Sequence, residues 1–197
     1  MEILIISILI VLHGFLVLGE IALLTAKRSR LEGEKMKGNR NAGIAVDLLD
    51  DIDNYLSAMQ IGITLISIVE GAYGGVAIGH YLEPLIARIP YVGDYAPSVS
   101  ISVVVSVITY LSLIVGELAP KYIAIQYAEP IAIFFAPVMR FITKVTGPIS
   151  AFLSWSTKMF MRMLFIKPND QQSISEDEIK TMVKMANQQG VLAEKES

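Results

Sequence analysis

Apolar residues in this chain gather into long runs, without the strict alternation expected of half-buried strands. An α-helix needs about 20 apolar residues to cross the ~30 Å hydrocarbon layer of a bilayer, and three runs are long enough. Residues 3–26 are broken only by His13 and Glu20. Residues 55–82 enclose Gln60, Glu70 and His80, and residues 96–120 hold Glu117 near their end. The β-branched run 99–108 has the composition of a buried strand, but strands seldom exceed about 10 residues and this run continues on both sides. The pattern predicts an all-α membrane protein with three transmembrane helices.

Residues 129–166 are apolar but punctuated by Pro130, Pro137 and Pro148, and they carry Arg140 with Lys144 and Lys158 with Arg162, each pair one helical turn apart. Cations in mid-membrane are costly, whereas basic residues beside Trp155 and several Phe suit helices lying in the interface plane. The expectation is a belt of juxtamembrane helices on the cytoplasmic side, with a fourth and fifth crossing as the alternative. A transmembrane domain thus occupies residues 1–166. Residues 167–197 form a polar linker and the start of a cytoplasmic region, where Ser175 and Glu178 have the spacing of a capping box. Behind that box, Ile179, Met182, Val183 and Ala186 make an apolar stripe at helical spacing and Gly190 a stop. Such a stripe needs a partner, so either the chain is a piece of a longer one or the helix docks under the membrane domain or on a second subunit.

Charge sets the orientation. Lys27, Arg28, Arg30, Lys35, Lys37 and Arg40 all follow the first run, Arg88 is the lone basic residue after the second, and Lys121 follows the third. The positive-inside rule then places the N-terminus outside and the C-terminus in the cytoplasm, as expected in a plasma membrane. No basic stretch precedes the first run, as Met1 leads directly into Glu2, so it is read as a retained helix and not a cleaved leader. The 16 basic and 19 acidic residues leave a net charge of −3, which excludes nucleic-acid binding through bulk positive charge. Cysteine is absent, so thiolate metal sites and cysteine nucleophiles are excluded. No nucleophile–base order, phosphate loop or metalloprotease helix is present, and an enzyme is not expected.

An ionisable side chain inside a membrane helix is expensive and is a functional candidate by default. Glu20, Glu70 and Glu117 are the three acidic ones. At 1.5 Å per residue, Glu20, Gln60 and Glu117 lie roughly 6–10 Å in from the cytoplasmic ends of their helices, while Ser67 and Glu70 lie deeper, at roughly 20 Å. Thr64 sits one turn from Gln60. Pro120 cannot donate to the carbonyl of Gly116, which frees an oxygen beside Glu117. Interrupted helices of this kind build cation sites in transporters, and Mg²⁺ prefers six hard oxygens. Structural readings stand beside these: Gly71, Gly74 and Gly75 let helices pack closely, His13 makes an interhelical hydrogen bond, and Glu20 pairs with Lys27 or Arg28.

Four segments resemble the CNNM/CorC family of divalent-cation transporters, in order along the chain. They are Gly19-Glu-Ile-Ala-Leu-Leu-Thr-Ala-Lys-Arg-Ser-Arg-Leu-Glu32, Leu56-Ser-Ala-Met-Gln-Ile-Gly-Ile-Thr-Leu65, Gly116-Glu-Leu-Ala-Pro-Lys121 and Ile174-Ser-Glu-Asp-Glu-Ile179. The resemblance implies a homodimer of three-span membrane domains with a juxtamembrane belt, exporting Mg²⁺ in exchange for Na⁺. It implies a pair of cystathionine-β-synthase-type domains beyond this chain. It makes Glu117 a cation ligand, beside small, hydroxyl-bearing or main-chain groups of the first two membrane helices; on the residues themselves, Glu117 is expected to be the principal ligand, with Gln60, Thr64, Ser67 and the Gly116 carbonyl supplying neutral oxygens. Glu20 or Glu70 then neutralises charge or binds the coupling Na⁺. Relatives often carry serine where Gly19 and Val17 stand here, a departure that leaves a polyamine as an alternative substrate. A non-transporting scaffold or Mg²⁺ sensor is the alternative of another class.

Overall fold

In a computed structural model, residues 1–164 are described. They are helical almost throughout: α1 (Glu2–Thr25), α2 (Arg28–Met36), α3 (Arg40–Asp50), α4 (Ile52–Ile86), α5 (Ala96–Leu111), α6 (Ala119–Gln126) and α7 (Ala128–Met163). A short 3₁₀ turn, Gly93–Tyr95, leads into α5, and a π-helical segment, Ser112–Leu118, joins α5 to α6 as one continuous rod. Of the three runs predicted to cross the membrane, residues 3–26 match α1 to within one residue, residues 55–82 lie within α4, and residues 96–120 take in α5, the π-helical segment and the start of α6.

The basic stretch after the first crossing is itself folded. Gly38 turns the chain between α2 and α3 with φ +89°, a conformation that favours glycine. Asn39 then caps α3, its Oδ1 accepting from the amides of Asn41 at 3.1 Å and Ala42 at 3.3 Å. The cations there face acids on neighbouring elements: Arg28 meets Asp50 at 2.7 Å, Arg30 meets Glu129 at 3.3 Å and Lys35 meets Asp47 at 3.8 Å. These pairs are exposed and orient the small helices more than they stabilise them.

Two apolar clusters hold the helices. One joins the second half of α1 (Leu16, Ala22, Leu23) to α2, α3, the start of α4 (Tyr55, Ala58, Met59), α6 and the first half of α7. The other joins Ile6 and Ile10 of α1 to Val104 and Ile108 of α5, with Ile78 and Leu82 of α4 against them. Between α4 and α5 the packing depends on missing side chains. A Cβ on Gly75 would come within 2.8 Å of Val105 Cγ2, one on Gly79 within 3.1 Å of Ile101 Cγ1, and one on Gly74 would overlap Ile108. Gly71 departs from this group, because nothing lies within 4 Å of where its Cβ would be.

Residues 129–164 differ from the set of short helices expected over 129–166. One helix, α7, runs for 36 residues with Pro137 and Pro148 inside it, since proline in an apolar helix removes one bond without forcing a stop. By length and composition it is a fourth candidate crossing, beside Glu2–Thr25, Ile52–Ile86 and Gly93–Gln126. It is also amphipathic: Ala128, Ala132, Phe135, Ala136 and Met139 are buried along one face, while Arg140 and Lys144 are exposed. The contacts divide the chain into a unit of Met1–Ser154 and a second beginning at Trp155. The Ser175–Glu178 capping box lies outside the described residues.

Candidate cation site

Between the two apolar clusters, three helices contribute one polar side chain each. His13 comes from α1, Glu70 from α4 and Ser112 from the first position of the π-helical segment; all are buried, Glu70 to 2% exposure. The Ser112 hydroxyl donates to Glu70 Oε2. Ser112 Oγ lies 3.3 Å from His13 Nδ1, which is itself 3.5 Å from Glu70 Oε2. With its own proton committed to Glu70, Ser112 can only accept from His13, which assigns the Nδ1–H form of the ring. Glu70 Oε1 is buried without a hydrogen-bond partner, an arrangement that costs free energy unless something occupies the space it faces.

Beside this cluster lies a cavity of about 150 Å³. Ser67, Glu70, Thr109, Ser112, His13 and Glu117 line it, with Gly71 leaving room where a side chain would intrude. Glu117 is exposed and stands at the rim. Its position follows from the π-helical register: the Ala119 amide donates to Ile114, five residues back. The next bond in that register would run from Pro120 to Val115, and Pro120 has no N–H. The carbonyl freed by Pro120 is thus that of Val115, and not of Gly116 as an α-helical register predicts. Val115 O faces α1 at its point of closest approach, where a Cβ on Gly14 would sit 2.9 Å from it. Gly116 packs under the His13 ring, its notional Cβ 3.2 Å from His13 Cγ.

The cavity unites Ser67, Glu70 and Glu117 of the residues singled out in the sequence. Glu20 is half-buried and lies near Glu117 and Tyr55. Its expected pairing with Lys27 or Arg28 is not found among the described residues, because Arg28 turns to Glu32 and Asp50. Gln60 and Thr64 are exposed and bonded to each other at 3.2 Å, about 15 and 9 Å before Glu70 along α4; they do not line the cavity. A side chain at Gly19 would have to displace the flexible end of Met139 of α7, and the Gly19 carbonyl accepts the buried Tyr55 hydroxyl at 3.0 Å.

Among the described residues no three His, Asp or Glu side chains converge on a point. A cation in this cavity would draw on one or two carboxylates, hydroxyls, a carbonyl and water, the hard-oxygen chemistry of Mg²⁺ or Na⁺ and not of zinc. Ser112 and Thr109 escaped the sequence reading. In an α-helix Ser112 and Glu117 are about 140° apart, and only a π-helical turn brings positions i and i+5 onto one face.

The family described as the cyclin M transmembrane N-terminal domain (CNNM) matches residues 4–196. UPF0053 protein sll0260 of Synechocystis is 41% identical over 100% of this chain and 44% of its own length. UPF0053 protein YhdT of Bacillus subtilis is 35% identical over 92% of the chain and 40% of its own length. A protein of Haemophilus influenzae named polyamine export protein is 24% identical over 90% of the chain and 41% of its length. The chain therefore spans less than half of each of these relatives.

Proposed function

The chain belongs to the cyclin M transmembrane N-terminal domain family, and from that premise we propose that it is the membrane-embedded part of a transporter for a small hydrated dication, Mg²⁺ in the first instance. The observation that carries this reading is the pair of carboxylates on one cavity, Glu70 at its floor and Glu117 at its rim, neither with a lysine or arginine partner among the described residues. A permanent structural role for buried acids would call for a permanent cation. Here the one basic side chain paired with either acid among the described residues is His13, 3.5 Å from Glu70 Oε2, and the remaining countercharge is left to a visitor. Glu117 is the principal ligand, Ser67 and Thr109 supply neutral oxygens, and the cavity has room for an ion with part of its hydration shell, which Mg²⁺ sheds reluctantly. Glu70 lowers the potential inside, and Glu20, next to Glu117 on the cytoplasmic side of the cavity, receives the coupling ion, read as Na⁺. Export, a homodimeric assembly, an outside N-terminus and regulatory domains beyond this chain complete the reading.

A polyamine is the second substrate reading. The name of the Haemophilus relative favours it, and so does the presence of three acids along one path. The test is flux in proteoliposomes of the full-length protein, with Mg²⁺ and putrescine offered alone and together. Saturable Mg²⁺ flux unaffected by putrescine supports the first reading, and putrescine flux suppressed by Mg²⁺ supports the second. Absence of saturable flux of either, with no rise in melting temperature on adding Mg²⁺, would leave a scaffold.

A further inference from the structure

Serines in these helices follow a local habit. Ser7, Ser57, Ser67, Ser102 and Ser106 each donate to the carbonyl four residues earlier in their own helix. Ser112 has Ile108 available for the same bond and instead reaches across to Glu70 on α4. It does so at the residue where the rod from α5 to α6 changes from α-helical to π-helical winding. A seven-residue π-helical stretch is an unfavourable conformation that persists only where tertiary contacts fix it, and the stretch ends at Pro120, which cannot restore the ordinary ladder. On the α1 side, Gly14 and Gly116 bring the backbones together around the same segment, with the His13 ring over Gly116.

We propose that Glu70, Ser112 and His13 act as a clamp that holds the π-helical register of Ser112–Leu118 and so sets the direction in which Glu117 points. They are positioning residues, two of them on helices that do not carry the principal ligand. Adding or removing one residue from a helical turn rotates everything beyond it by about 100°. Releasing the clamp therefore lets the segment relax toward α-helical winding and swings Glu117 off the cavity rim. The buried, half-satisfied carboxylate of Glu70 has a purpose under this reading even before any ion arrives: it draws Ser112 away from Ile108. The consequence for transport rests on the proposed role of Glu117, but the register itself can be read without any cation.

Residues 1–197 hold no cysteine, so, with any cysteine beyond them replaced by serine, single cysteines can be placed at positions 113–118 of the full-length protein, one at a time, and labelled with a water-soluble maleimide without added Mg²⁺. The expected pattern has Glu117→Cys labelled readily. Removing the clamp forfeits a hydrogen bond to a charged group, enough to shift the register equilibrium by about tenfold or more. In a Ser112→Ala background the Glu117→Cys rate falls by that factor and a neighbouring position gains, whereas Ser112→Thr keeps the original pattern. Val107→Cys, ahead of the segment, labels at one rate in both backgrounds, which separates a change of register from unfolding. Glu70→Leu is the second arm. It removes a buried half-satisfied group and so folds, yet frees Ser112 to return to Ile108, and it produces the same shifted pattern. An unchanged pattern in Glu70→Leu overturns the clamp. A shifted pattern accompanied by undiminished Mg²⁺ flux in Ser112→Ala and Glu70→Leu, each with Glu117 intact, upholds the clamp and overturns Glu117 as the ligand.

Discussion

Two glycines that look alike in sequence should respond to alanine in opposite ways. At Gly14 the added Cβ would meet Val115 O at 2.9 Å and Pro120 Cγ at 3.1 Å. Both belong to the backbone-constrained stretch that carries Glu117, so relief requires α1 and the π-helical segment to part by a few tenths of an ångström. Overpacking of this kind costs about 1–3 kcal/mol, partly offset by the better helix propensity of alanine, worth about 1 kcal/mol. At Gly71 nothing lies within 4 Å, so only the propensity gain remains and the variant should be about 1 kcal/mol more stable. The two variants are then about 1–3 kcal/mol apart, or several degrees in melting temperature for a chain of this size. Both should nevertheless lose flux: Gly14→Ala because it moves Glu117, and Gly71→Ala because its methyl group enters the cavity. Thermal melts of the purified full-length proteins in detergent, with parallel Mg²⁺ flux in proteoliposomes, measure both quantities. Equal melting temperatures for the two variants, or a Gly71→Ala protein as active as the unsubstituted one, would refute the packing and cavity geometry on which the site is built.

Other substitutions probe separate parts of the structure. Gly19→Ser should destabilise through its collision with Met139, and Gly19→Ser with Met139→Ala should recover the loss, as read by paired melts. Asn39→Ala removes the α3 cap and should cost about 1 kcal/mol with no effect on cation flux. The neighbouring Glu34 carboxylate raises the Lys37 ammonium above its usual 10.5. Its small contribution is complete below 10.5 and is lost as pH climbs through the raised value, so Lys37→Gln should lower the melting temperature by the same small amount at every pH from 6 to 9.

What could be read from the sequence alone was whatever depends on depth along a helix. Helix length and apolar content placed the three principal crossings, and the cost of burying charge singled out Glu20, Glu70 and Glu117, of which the fold brings Glu70 and Glu117 to one cavity. What depends on direction around a helix was hidden. Gln60 and Thr64 were judged by depth, and the α4 surface they occupy does not face the cavity. Ser112 was invisible because its relation to Glu117 depends on a change of winding, for which Gly116 and Pro120 were the sole local hints. At Gly19, the neighbour that fills the place of a side chain is Met139, 120 residues away in sequence and so out of reach of any local pattern. The prolines of α7 marked boundaries that an apolar surrounding does not enforce.

The central claim is that Glu117 receives a passing cation, and its most direct measurement is ²⁸Mg²⁺ uptake into proteoliposomes holding either the unsubstituted full-length protein or Glu117→Ala at matched density. The account predicts saturable uptake in the first and none above empty vesicles in the second, with both proteins eluting at the same size from a gel-filtration column. Undiminished uptake through the Glu117→Ala protein would contradict it.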